Sequence, residues 1–213
     1  LFSLDRLILL APAFLFAITI HEFSHGYIAY RLGDPTAKDH GRLTLNPLAH
    51  LDIFGTLALL FIGFGWAKPV PVNPYNLANP RRDHLWIALA GPASNFVCAF
   101  AFGTLFRISS PFLSQSSTGQ IVLTMIFMAV WINLILTVFN LLPIPPLDGF
   151  HILEGLVSHD MYLRLQTIER IGPMLLFGLI IISSFSGIGI FKYIFSPFLT
   201  VFGTLFTGHQ FGF

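Results

Sequence analysis

His21-Glu22-Phe23-Ser24-His25 sets two histidines four residues apart, with a glutamate beside the first, inside an apolar run. On a helix, positions i and i+4 share a face, so both imidazoles of this H-E-x-x-H pattern can reach one metal ion. Glu22 stands where it could take a proton from a metal-activated water. Zinc is the natural ion for such a set, because it brings the pKa of a bound water down to about 7. The bland alternative is polar packing between helices. It fits poorly, since an ionisable group inside an apolar span is costly and reads as functional. At about 1.5 Å per residue, His21 lies roughly 20 Å along the helix from Leu7, well inside a bilayer's hydrocarbon.

Two imidazoles leave a catalytic zinc one protein ligand short. The third candidate is Asp148, which closes the run Asn140-Leu-Leu-Pro-Ile-Pro-Pro-Leu-Asp148-Gly149. Pro143, Pro145 and Pro146 break a helix there, and broken helices at membrane depth are tolerated where they line a cavity. A cap for the helix that follows is the competing role for Asp148. His151, one turn further on, could serve instead or support the site from behind. Glu154 is the ligand that an ordinary Glu-type zinc protease would use. His40, His50, His84 and His159 fall in connections and are expected at solvent or headgroups, and His209 at an interface.

The elements that must position these groups are membrane helices. Of 213 residues, 54% are hydrophobic, 15% aromatic and only 10% charged, with 24 Phe. A soluble domain carries about a quarter charged residues, so lipid is the solvent for much of this chain. A net charge of +1 without a basic run leaves no footprint for nucleic acid. A single cysteine, Cys98, excludes an intrachain disulfide and a multi-thiolate metal site. The chain opens on Leu1, so its natural start is expected upstream.

Crossing a bilayer takes about 20 apolar residues. Residues 7–30, 85–106, 120–142, 171–191 and 193–213 meet that length, predicting an all-α multi-pass protein of about five spans in a single domain over 1–213. The stretch 183–189, SSFSGIG, reads as the last turn. Residues 7–30 lack a following small-residue cleavage site and are expected to be retained rather than removed as a signal peptide. The stretch 53–67 is short and Gly-rich, and reads as re-entrant or interfacial. Prolines at 69, 71, 74 and 80 forbid a helix over 63–82, which with 41–50 is expected to form short extended β segments at the cytoplasmic face. Arg31, Lys38, Arg42, Lys68, Arg81 and Arg82 load one connection with positive charge, which places it inside, the N-terminus outside and the C-terminus inside.

HEFSH at 21–25, GWAKPVPVNP at 65–74, GPASN at 91–95 and NLLPIPPLDG at 140–149 together resemble the site-2 protease family of intramembrane zinc metalloproteases. The likeness covers most of residues 15–155 and is closest to compact bacterial members without a PDZ or CBS domain. It implies one Zn2+ held by His21, His25 and Asp148, with Glu22 as general base. It also implies Asn140 as an active-site group that positions substrate or stabilises the oxyanion, and Asn95 as a substrate-binding neighbour. Relatives often carry Arg where this chain has His151. Nothing transfers to 160–213. The implied activity is a zinc-dependent endopeptidase in the cell membrane, cutting membrane-spanning proteins from a site toward the cytoplasmic side. Two other readings compete. One is a membrane-embedded zincin acting on extramembrane peptides. The other is a metal transporter, which lacks the paired broken helices that inverted repeats would supply.

Overall fold

A computed structural model describes residues 4–62, 65–185 and 189–211. The elements run α1 (Leu4–Arg31), α2 (Thr36–Asp39), α3 (Ile53–Ile62), α4 (Pro80–Leu113), α5 (Ser117–Asn140), α6 (Asp148–Leu156), α7 (His159–Glu169), α8 (Gly172–Phe185) and α9 (Ile190–Thr207). Among the described residues no strand forms. The expected β segments reduce to one antiparallel bridge, Leu51 to Ala67, and two 3₁₀ turns. Both turns start at Asn-Pro. The Asn46 and Asn73 side chains accept the Leu48 and Tyr75 N–H groups at 3.1 Å, so local capping wins over strand pairing.

Three helices among the described residues, α4, α5 and α9, are long and apolar enough to cross a membrane. The count rises to four if α7 and α8, bent by 65°, make one broken span. The five expected crossings are thus recovered only in part among the described residues. At 14 residues, α8 spans only about 21 Å, short of a 30 Å hydrocarbon core. α1, with 28 residues and about 42 Å of length, is long enough to cross, and it carries His21, Glu22 and His25 in its second half. The apolar stretch 53–67 holds a helix of only 10 residues, α3. The turn expected at SSFSGIG falls partly outside the described residues.

α4 and α5 form the centre of the bundle, and α1 and α9 pack against both. Ala13 and Ala17 of α1 meet Ala129 and Ile132 of α5. Ala99 of α4 meets Val130 and Leu134 of α5 and Leu199 and Phe206 of α9. Without a hydrophobic drive between helices in lipid, small residues of this kind let the backbones close to van der Waals range.

α1 ends where its sequence says it must. Gly33 adopts φ +108°, and the Gly33 and Asp34 N–H groups return to the Tyr30 and Ala29 carbonyls at 3.2 and 2.9 Å. This closes the helix in the manner Gly favours and satisfies carbonyls that would otherwise be orphaned. The turn delivers Asp34, fully buried, beneath the segment that follows α3. One carboxylate oxygen accepts the Thr36 N–H at 3.0 Å and the Asn76 amide at 2.8 Å, together with the Thr36 hydroxyl. The other accepts the Asn73 N–H at 2.7 Å. Arg42 donates to the Lys68 carbonyl at 2.6 Å, and the Lys68 N–H donates to the His50 carbonyl at 2.9 Å. Residues 65–76 are thereby strapped across the C-terminal part of α1. His50, expected at solvent, is instead fully buried under the strap, with Nε2 against the Thr44 carbonyl at 2.8 Å.

Candidate metal centre

His21 and His25 lie one turn apart on α1, with their Nε2 atoms 3.0 Å from each other. The proline-broken segment 143–147, whose Pro145-Pro146 bond is cis, brings the first residue of α6 to them. Asp148 Oδ2 lies 3.1 Å from His21 Nε2, and Oδ1 lies 3.4 Å from His25 Nε2. Among the described residues this is the one cluster of ligating groups able to hold a metal ion.

The surrounding hydrogen bonds define what these atoms present. Asn95 donates its amide to the Ala17 carbonyl at 3.0 Å and to Asn133 Oδ1 at 2.8 Å, so its own Oδ1 is an acceptor. It therefore receives Nδ1–H of His21 at 2.6 Å. His25 Nδ1–H donates to the Ile87 carbonyl at 2.7 Å, one turn before Gly91 and Pro92 of α4. In the neutral rings both Nε2 atoms are then lone pairs. They face each other and a carboxylate, with no proton available between them. Asp148 Oδ2 accordingly has no hydrogen-bond partner although it is buried and lies next to His21. Two imidazole lone pairs converging on an orphaned carboxylate oxygen are repulsive unless a cation sits among them. Two imidazoles and one carboxylate suit zinc in donor type and number. The bonds from Asn95 and Ile87 are the outer partners that fix tautomer and ring angle in such sites.

The close fit of α4 depends on Gly91. A Cβ there would run into the His25 and His21 rings. Gly149 plays the matching part in α6, where a Cβ would strike the Leu141 carbonyl.

Glu22 projects about 100° around α1 from His21. Its Oε2 accepts the Val70 N–H of the strap at 2.9 Å. Glu22, His21, His25, Asp148 and Asn140 all line one cavity of about 580 Å³ between α1, α4, α5, α6, α8 and the strap. Trp66 of the strap meets Phe177 of α8 edge-on at 6.1 Å along one wall. Asn140 donates to the Leu136 carbonyl at 3.0 Å and makes no contact with the histidine pair. Asn95 does not face the cavity. It is fully buried behind His21, whose Nδ1–H it accepts. Glu154, the rival ligand, is turned away. Its carboxylate accepts His151 Nδ1–H at 2.9 Å and the Gln166 amide at 3.0 Å. His151 and His84 both line the cavity, their rings stacked at 4.6 Å.

His84, expected in a connection at solvent or headgroups, instead lies in α4 and lines the cavity, while Asn133, the Ile87 carbonyl and the Val70 N–H had no signal in the sequence pattern. The last two are backbone atoms, and Asn133 belongs to no motif.

The fold and site define a membrane-embedded zinc hydrolase, and the comparisons agree. Residues 102–182 match the model of Peptidase family M50. The chain is 44% identical over 162 residues to a Bacillus subtilis protein named "Putative zinc metalloprotease YwhC", covering 73% of this chain and 72% of the relative. It is 30% identical over 179 residues to the Mycobacterium tuberculosis H37Rv protein named "Putative zinc metalloprotease Rip2", covering 81% of this chain and 64% of that one. No solved structure matches it. The chain belongs to Peptidase family M50, the site-2 protease family. It is a zinc metalloprotease with Zn2+ as cofactor, and its apolar helices make it a membrane protein.

Proposed function

We propose that the chain, acting as one domain, hydrolyses peptide bonds of membrane-spanning proteins within the bilayer, with its active site toward the cytoplasmic side. The observation that carries this reading is the orphaned Asp148 Oδ2 facing two histidine lone pairs on the wall of a largely apolar cavity. His21, His25 and Asp148 hold the zinc. Zinc there supplies Lewis acidity toward the scissile carbonyl and lowers the pKa of a water. Glu22 takes the water's proton and passes it to the leaving amine. The Val70 N–H holds the Glu22 carboxylate toward the cavity while one of its oxygens remains free. Asn140 uses one amide hydrogen on Leu136 and keeps a second for the oxyanion. Asn95, with Asn133 behind it, keeps His21 in the ligating tautomer.

Substrate enters as a helix whose amides are internally bonded, so it must unwind to expose a scissile bond. The strap, extended and rich in proline, is placed beside Glu22 and bears on that unwound stretch. Five crossings and a cytoplasmic active site follow from the charge of the connections, with α1 and the bent α7–α8 pair counted as spans.

The test is to reconstitute the protein and Glu22→Gln, both zinc-loaded, with a panel of single-span substrates. Wild type cleaves. Glu22→Gln binds equal zinc and loses at least about a hundredfold in rate. Equal cleavage by both proteins, or cleavage by neither, contradicts the reading.

A further inference from the structure

His151 is held more tightly than a wall residue needs to be. It sits one turn after Asp148 on α6, hence on the same helical face. Glu154 is buried and takes Nδ1–H of His151 at 2.9 Å, while Gln166 holds the other Glu154 oxygen at 3.0 Å. His84 covers the ring face at 4.6 Å with the two planes 24° apart. A carboxylate in this position only accepts, so in the neutral imidazole the proton is on Nδ1 and Nε2 carries the lone pair. Among the described residues Nε2 has no hydrogen-bond partner. The ring lines the same cavity as the proposed ligands, yet it stands outside the metal-ligating cluster.

An oriented, unused acceptor in a mostly apolar cavity needs a donor. Under the proteolytic reading, on which this inference rests, the incoming peptide must unwind. Unwinding frees backbone N–H groups in a place with little water. A buried N–H left unpaired is costly, so the cavity has to supply acceptors near the scissile bond. Glu22 is occupied with proton transfer and Asn140 with carbonyl oxygens. We infer that His151 is a substrate-positioning residue: its Nε2 accepts a hydrogen bond from one backbone N–H of the unwound substrate next to the scissile bond, and Glu154 fixes the tautomer that makes this possible.

The test is an ester scan. A labelled single-span peptide is made with one backbone N–H at a time replaced by ester oxygen. Its affinity is measured by fluorescence anisotropy in detergent, using zinc-loaded Glu22→Gln protein so that no turnover intervenes. One ester position should weaken binding about tenfold, and that penalty should vanish when His151→Phe is added. Adding His151→Gln, which keeps an acceptor oxygen, should retain part of it. Bound zinc should be unchanged in each protein, which separates positioning from loss of fold. A flat ester profile, a penalty that survives His151→Phe, or loss of zinc in both His151 variants overturns the assignment. Turnover by the Glu22-intact protein reports separately on the proteolytic reading. Turnover with a flat profile removes His151 alone. The profile without turnover removes the proteolysis and leaves His151 as a peptide-binding group.

Discussion

Asp148 Oδ2 lies buried without a donor, and the two imidazoles facing it have already given their Nδ1 protons to Asn95 and Ile87. On the proposed function such a residue holds a cation, so its removal should be read in metal content before anything else. Asp148→Ala is expected to bring bound zinc from about one per chain to near zero, measured by elemental analysis of the purified protein. Asn95→Ala should act more gently. The ring of His21 stays in place but loses the acceptor that sets its tautomer, and zinc affinity should fall about 10- to 100-fold in a competition titration with a chelator. Unchanged affinity in Asn95→Ala would mean that packing alone fixes the His21 ring.

Helix α4 can approach the histidine pair only because residue 91 has no side chain. Gly91→Ala forces either the helix or the rings to move, so zinc binding is expected to be lost while the helical circular dichroism of the bundle is kept. The strap depends in the same way on Asp34. Burial pushes that carboxyl up, but donors from Thr36, Asn76 and Asn73 outweigh the effect and hold it below its ordinary value of 3.8. Because the folded value is depressed, its stabilisation is complete above about pH 3.8 and is lost as pH falls through the lower folded value. Asp34→Asn should remove that acid dependence and, with donors left unpaired, free residues 65–76 to exchange amide hydrogen faster at neutral pH. Exchange as slow as in wild type would show that Arg42 and His50 suffice to hold the strap. Helical spacing was enough to put His21 and His25 on one face, and the proline run before Asp148 was enough to suggest a break that lines a cavity. The strap's route was not legible, because it is fixed by Asp34, Arg42 and a backbone bridge, whose partners lie 16 to 42 residues away. The expected strands failed for a related reason: Asn-Pro turns take up the polar groups that a ladder would have used.

The whole molecule places its few charges at two levels. Most lie in connections, whereas His21, Glu22, His25 and Asp148 are drawn into one cavity bounded by apolar helices. The proposed function puts hydrolysis at that depth, on a substrate segment that itself spans the bilayer. The competing zincin would use the same metal on peptides outside it. Mass-spectrometric mapping of the cut in a single-span substrate, after reconstitution in proteoliposomes, separates the two most directly. A new terminus is expected within the substrate's apolar span, on its cytoplasmic half. A cut confined to the substrate's extramembrane loops would contradict it.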